Sequence, residues 1–567
     1  MTQLRTQESQ AASDSRRWWA LIALALSVLV VGLDVFVLTL AIPKLSVDLH
    51  ASSSDAQWFL DAYSLVLAAA LLPAGLLGDR YGRKRLLTWA LVLFGLSSLA
   101  CAYSTSSGEL IAARVALGLA AAVITPLALA VLPVMFAPEE RPRAIATVGG
   151  ATFLGFPLGP IVGGWLLDHF WWGSVFLINV PIVVIAVVAV ILLMPESRSE
   201  RRPSIDVIGV LLSSAGLTAI TYGTIEASQD GWGSATVLGS IAAGVIVSAA
   251  FIAWEFAVTR RGAQSLIDLS LFRSAGFTWG TALATMISFA MFGIFFIRPQ
   301  YWLDVRGLDS LASGVRMLSL IGGLIIGLGA GQRLQTVRKT PQGPGRPLVS
   351  AKIIGAVGFA AMAVAMILGT GLTAATSTVF IMVWFALAGI GLGLAMPTML
   401  NAALSALSPE RSGSGSALMS AMRQVGATIG VAVLGTVIAT IYKSRLHLPG
   451  LPASVTALAR SSVAAGVAVA QHAPAAISAG LLGVVHSAYT DGIDAMLWVC
   501  AGIAIAAAIL AFLFIPANAT GPAPGAPDGN DGLHGDPAVD AGTAAGTAAG
   551  AATVSGIAGL ARDGGAQ

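Results

Sequence analysis

Charge is what this sequence has least of. Lysine, arginine, aspartate and glutamate make up 10% of the 567 residues, against 56% hydrophobic residues. Soluble domains carry about a quarter charged residues. A water-soluble fold is thereby excluded, and lipid is the expected solvent for most of the surface. Cysteine is nearly absent. Cys101 and Cys500 each sit inside an apolar run, so neither a disulfide framework nor a zinc site is supported. Histidine is scarce, and no phosphate loop, metal-ligand spacing or nucleophile–histidine arrangement occurs. No enzyme, metal or other cofactor is expected, nor ATP as an energy source within the chain. The net charge of +3 is small; it matters only through where the charges lie, and no nucleic-acid partner is expected. The polar stretch 1–17 leads into an apolar segment of full spanning length with no small-residue cleavage site, so it reads as a retained segment and not a signal peptide.

What the chain has is long apolar runs. A spanning helix needs about 20 mostly apolar residues. Such segments lie at 18–43, 55–78, 87–106, 109–135, 146–168, 174–194, 207–226, 235–257, 276–298, 310–331, 350–371, 377–402, 414–441 and 493–515, fourteen in all. The basic residues gather in alternate gaps: Arg80, Arg83, Lys84 and Arg85, then Arg141 and Arg143, then Arg198, Arg201 and Arg202, then Arg260 and Arg261, then Arg333, Arg338 and Lys339. Lys44, Arg298, Arg306, Lys443 and Arg445 run against this and are outnumbered. Basic loops stay on the cytoplasmic side, which places both termini there and agrees with an even number of spans.

Two stretches break the pattern. Residues 442–492 are alanine-rich but hold Pro449, Pro452, Pro474, His447, His472 and His486. They read as an extracytoplasmic loop with one or two amphipathic helices, or else as an extra buried helical pair. Residues 516–567 are low in complexity and cannot bury a core, so a disordered tail is expected.

Charges inside the apolar phase point to function. An isolated charge at mid-bilayer costs at least about 2.5 kcal/mol on insertion scales and usually faces a cavity. Asp34 interrupts a nearly unbroken apolar run, about 13 Å from the outer end of the first segment at 1.5 Å per residue. Asp61, in the second segment, falls at a similar level, with Trp58 one turn before it and Tyr63 just after. Arg114 in the fourth segment is level with both. Asp61 also reads as an interfacial helix-start carboxylate, and Arg114 as a snorkelling side chain. Arg316 reads equally as snorkelling or functional. Asp206 and Glu255 read as helix-end boundary residues.

The loop after the second segment joins Gly75, Asp79, Arg80, Gly82, Arg83, Lys84 and Arg85. A carboxylate, a glycine turn and a basic cluster at one rim can cap or pair with neighbouring helix ends and so latch one gating state. This spacing resembles the G-x-L-(A/G)-D-R-x-G-R-K loop of the major facilitator superfamily. Gly155, Pro157, Gly159, Pro160, Gly163 and Gly164 resemble the antiporter motif of its drug/proton exchangers, where small residues let helices approach and proline bends the helix. The run Val31 to Pro43 resembles the first helix of the fourteen-helix branch, with Val35-Phe36-Val37 where that branch commonly has a threonine. Stretches 172–181, 266–273 and 421–435 resemble further segments of it, and the likeness runs from about 20 to 515.

The resemblance implies an all-α membrane protein: two six-helix bundles, at 18–194 and 276–515, with two inserted helices in 195–275. It implies proton-driven export of small organic drugs, cationic ones above all, across the plasma membrane, by a protein that works as a monomer in lipid. Asp34, Asp61 and Arg114 would couple protons; Asp34, Trp58, Asp61 and Tyr63 would bind substrate. The alternative is a dedicated exporter of one neutral or anionic antibiotic. Some multidrug members carry acids in the tenth and thirteenth helices. Here those stretches read Gly322-Gly323-Leu324 and Leu418 to Ala421, so the second half of the cavity is expected to be neutral, which puts handling of divalent cations in doubt.

Overall fold

The structure, a computed structural model, describes residues 2–516 apart from 138–139, 199–205, 262–268, 302–314, 336, 341–342, 374–375, 408–411, 449–450 and 462. The tail 517–567, part of the 266–273 stretch, and Arg201, Arg202 and Arg306 lie outside the described residues, as do the side chains of Pro157, Pro160, Arg298, Arg338 and Lys339.

A helix occupies each of the fourteen apolar segments. We label them α1 (Thr2–Asp48), α2 (Ser53–Tyr81), α3 (Arg83–Ala102), α4 (Ser107–Ala130), α5 (Arg141–His169), α6 (Asn179–Leu193), α7 (Val207–Asp230), α8 (Ala235–Arg260), α9 (Ala275–Gln300), α10 (Leu318–Leu334), α11 (Ala351–Leu368), α12 (Thr378–Leu404), α13 (Ser412–Arg445) and α14 (Ala475–Phe514). Among the described residues, eleven helices are long and apolar enough to cross a membrane. Several boundaries are written in polar residues. Ser52 and Asp55 form a reciprocal capping box at α2, Ser106 accepts from Glu109 N at α4, and Asp206 accepts from Gly209 N at α7; each satisfies amides that a helix start leaves open.

Packing shows an internal repeat. In the first half α1 packs on α5, α2 on α4, and α3 on α4 and α6; in the second half α9 packs on α13, α10 on α12, and α11 on α12 and α14. The same pairings recur eight helices later, which gives two six-helix bundles. The helices between them, α7 and α8, pack chiefly on each other, and α7 also lies on α2 and α13. Ser214 of α7 donates to the Ala69 carbonyl of α2 at 2.7 Å.

Three features differ from the sequence reading. Helix α1 begins at Thr2, so the polar stretch before residue 18 continues the first helix. It contains no proline or glycine to end the helix, and Arg17 pairs with Glu140 at 2.9 Å. Helix α14 begins at Ala475, not near 493. No proline interrupts it after Pro474, and Val485 and Tyr489 in its first half are fully buried. At 1.5 Å per residue α14 runs about 60 Å, twice the hydrocarbon thickness. The rest of the 442–492 stretch holds short helices at Ala453–Ser461 and Val463–Gln471, tied to α13 by the Tyr442 hydroxyl donating to the Ala459 carbonyl at 3.0 Å. Last, the basic loop after α10 carries an antiparallel hairpin, β1 (Val337–Thr340) with β2 (Gly343–Pro347).

Candidate functional site

Asp34 lies on α1 and Arg114 on α4. Arg114 Nη1 donates to Asp34 Oδ2 at 2.5 Å, and the two residues are 2% and 1% exposed. Burying an unpaired charge costs several kcal/mol, so each pays for the other's place here. The remaining contacts hold the pair's orientation. Arg114 Nε donates to the Phe59 carbonyl at 2.8 Å, and the guanidinium stacks 4.5 Å from the Tyr63 ring centre, a favourable cation–π distance. Asn179, at the start of α6, donates to Asp34 Oδ1 and to Ser98 Oγ, both at 3.3 Å. Five helices of the first bundle, with α3 supplying Ser98, thus meet at one ion pair. Both Asp34 oxygens are occupied.

Asp61 does not join this group. Phe59 and Tyr63 are one turn apart on the face of α2 that meets Arg114; a residue two positions from each lies about 200° round the helix. Asp61 is half-buried, and Glu226 of α7 is near enough to act on its charge. Trp58 is 40% exposed, whereas Tyr63 is buried at 3% beneath Arg114. Tyr63 therefore holds the arginine and offers no open face to a ligand.

The loop residues meet at the end of the molecule that carries the basic loops. Arg83 binds Asp79 Oδ1 through Nη2 at 2.7 Å and Nε at 3.1 Å, with both residues buried. The other carboxylate oxygen, Oδ2, accepts from the backbone N–H of Ser414 at 2.9 Å. Asp79 thus caps the first turn of α13 from the opposite bundle, where the helix dipole favours an anion. Gly82 has φ +107°, a region that side chains resist, and a Cβ there would fall 2.7 Å from Glu196 Oε1. Arg80 stacks 5.6 Å from the Tyr81 ring. Around the latch the two bundles touch: a Cβ on Gly75 would fall 2.6 Å from the Gly413 carbonyl oxygen, and Ser412 and Ser416 donate to the carbonyls of Ala130 and Pro126, each at 3.0 Å. Replacing Asp79 with alanine is expected to uncap α13 at a cost of about 1–2 kcal/mol and to lower transport at least tenfold. Thermal unfolding in detergent and dye-followed export in everted vesicles check it.

The antiporter stretch lies along the α1–α5 crossing. A Cβ on Gly155 would sit 2.7 Å from the backbone carbon of Gly32, and one on Gly163 would sit 3.1 Å from Val37 Cγ1. Gly159 and Gly164 are buried.

A helical bundle repeated across the chain thus carries an ion pair sealed between α1 and α4 and a carboxylate contact from one bundle to the other. The sequence profile of the Major Facilitator Superfamily matches residues 24–431. The chain belongs to the Major Facilitator Superfamily. It is similar to the tetracenomycin C resistance and export protein of Streptomyces glaucescens, at 32% identity over 88% of this chain and 91% of that protein. It is similar at 32% to the multidrug efflux pump LfrA of Mycolicibacterium smegmatis, over 88% and 96%. At 31% it resembles the methyl viologen resistance protein SmvA of Salmonella typhimurium, over 84% and 93%. Among solved structures, a double-tryptophan mutant of XylE superposes with a TM-score of 0.55 at 13% identity, over 89% of this chain and 97% of that one; this likeness carries the fold alone. The protein is a multi-pass membrane transporter and not an enzyme.

Sequence reasoning missed three residues. Asn179 lies in the 172–181 stretch already singled out, and a lone asparagine in an apolar run was the available signal. Glu226 sits in the inserted helix α7, outside the bundles. Arg423 corrects the expectation of a neutral second half: it stands eleven residues into α13, about 16 Å from that helix start by the helical rise.

Proposed function

We propose that this transporter exports lipophilic organic drugs, cationic ones among them, across the plasma membrane in exchange for protons. All fourteen helices cross, both termini are cytoplasmic, and the protein works as a monomer, with 18–194 and 276–515 as the rocking bundles. The observation that carries the reading is the Asp34–Arg114 pair. A proton reaching Asp34 cancels its charge and frees Arg114, and loss of that proton restores the pair. The pair is then a two-state element set by protonation, and alternating access needs such an element on the proton side. Because both Asp34 oxygens are occupied, Asp61 is the carboxylate left for a cationic drug, and Trp58, one turn before it, supplies an apolar surface.

The test uses everted vesicles with an imposed proton gradient, followed by a pH-sensitive dye. Ethidium is expected to dissipate the gradient in a dose-dependent way. If ethidium does nothing and a neutral antibiotic dissipates the gradient, the second reading holds, a dedicated antibiotic exporter in the manner of the tetracenomycin C relative.

A further inference from the structure

The internal repeat makes α10 the counterpart of α2, and α13 the counterpart of α5. In the Asp79 latch, α2 of the first bundle caps the start of α13 in the second. The repeat therefore calls for a second junction at the same rim, where α10 of the second bundle meets the start of α5 in the first. The structure has it: α5 packs on α10 and α12. The two junctions are closed by different atoms. A Cβ on Gly75 would fall 2.6 Å from the Gly413 carbonyl oxygen, a close approach of two helix backbones, whereas a Cβ on Gly149 or Gly150 of α5 would meet only side-chain tips, Leu400 Cδ1 at 3.3 Å and Leu328 Cδ1 at 3.0 Å. A small cavity remains at the second junction, lined by Pro142 and Ala146 of α5, Gln332 and Gln335 of α10, and Gly393 and Pro397 of α12.

The end of α10 shows what differs. Gly331-Gln332-Arg333 repeats Gly78-Asp79-Arg80 with an amide in place of the carboxylate, and Gln335 stands where the first half has Gly82. Gln332 thus has the place of Asp79 without its charge. Gln335 turns to its own bundle, donating from Nε2 to Thr398 Oγ1 of α12 at 3.0 Å. The N-cap residue of α5, Glu140, makes no side-chain cap; its carboxylate pairs with Arg17 at 2.9 Å. A helix start leaves amides open and favours an anion. The start of α13 has that anion in Asp79, and among the described residues the start of α5 has no counterpart to it.

We propose that the gate at this rim is latched on one side only: Asp79 fixes the α2–α13 junction, while the α5–α10 junction, with Gln332 in the carboxylate's place, is held by packing alone and sets how readily the rim opens. This rests on the rocking-bundle reading and adds to it where the gate is weak. A carboxylate that caps a helix in one state and not in the other biases the balance of the two states. One such carboxylate holds the rim shut and still lets it open. A second one, at position 332, would hold it shut for a larger share of the time.

The test is the distance between two spin labels across that junction, at Ala137→Cys ahead of α5 and Leu334→Cys at the end of α10. It uses the full-length protein in lipid nanodiscs, without substrate or proton gradient. Both positions are exposed, and the native Cys101 and Cys500 are fully buried. Two distances are expected, a shorter closed one and a longer open one. Gln332→Asp is expected to raise the closed-to-open ratio about tenfold. Gln332→Glu, which changes the charge and keeps the length of the side chain, is expected to raise it too. Gln332→Ala is expected to leave the ratio unchanged, and Asp79→Ala to lower it. The size-exclusion profile reports whether each variant is folded. The proposal is overturned if both carboxylates leave the ratio unchanged, or if Gln332→Ala lowers it as far as Asp79→Ala does. A single distance in both the wild type and Asp79→Ala would overturn the rocking reading along with it. No drug is present, so an error in the substrate class leaves this result standing, and a failure here leaves the vesicle result standing.

Discussion

Asp34→Asn is expected to bring proton-driven export to background, a loss of at least a hundredfold, while the protein still inserts and folds. The substitution keeps the shape of the side chain and its room beside Asn179. Among the described residues it removes the one charge that pairs with Arg114, at 2.5 Å, in a place where both residues are at most 2% exposed. Breaking one side of a buried pair costs about 3–5 kcal/mol, because the other charge is left uncompensated. Insertion is not threatened, since an amide is easier to place in a bilayer than a carboxylate. Transport fails because an amide cannot take up and release the proton that opens the pair. Dye-followed ethidium export in everted vesicles measures the loss, and thermal unfolding in detergent measures the cost. Adding Arg114→Gln to Asp34→Asn is expected to recover much of the stability and none of the export. Full export by the Asp34→Asn protein would remove the pair from the coupling mechanism.

Gly155→Leu is expected to abolish export as well, through packing. At the α1–α5 crossing a Cβ on Gly155 lies 2.7 Å from Gly32 C and 2.7 Å from Leu33 N. These are backbone atoms of a helix and cannot step aside the way a side-chain tip can. Overpacking a filled core usually costs about 1–3 kcal/mol, and the upper end applies where backbone must move. Separating α1 from α5 also shifts Asp34, two residues from Gly32, away from Arg114. A lowered thermal midpoint together with lost export is the expected result. Gly163→Ala, eight residues on, has a side-chain atom, Val37 Cγ1 at 3.1 Å, as its tightest neighbour, with backbone no nearer than 3.5 Å, and is expected to lose little of either. Equal effects at the two positions would mean that tight approach at Gly32 is not what Gly155 provides.

The match between sequence and structure follows the kind of signal each feature leaves. Helix positions were legible because a bilayer demands long apolar runs, and all fourteen segments are helical. Helix ends were less so: α14 extends eighteen residues before its predicted start, because residues such as His486 and Thr490 look like loop yet can continue a helix. Asp34 and Arg114 were legible as misplaced charges. That they pair was not, since they are 80 residues apart and only the packing of α1, α2 and α4 brings them together. Asp61 carried as strong a signal as Asp34, and its two-residue offset from Phe59 and Tyr63 turns it to the other side of α2.

The sequence alone determined the solvent, the helices, the basic loops and the family pattern, because these depend on composition and on spacing along one chain. The tertiary structure alone decided which charges are neutralised and which remain available. Asp34 is closed by Arg114 and Asn179, Asp79 is spent on Arg83 and the start of α13, and Arg423 is held by the Ser288 hydroxyl of α9. The reason is physical: the cost of a buried charge depends on its nearest partner in space, and in a helical bundle that partner is on another helix.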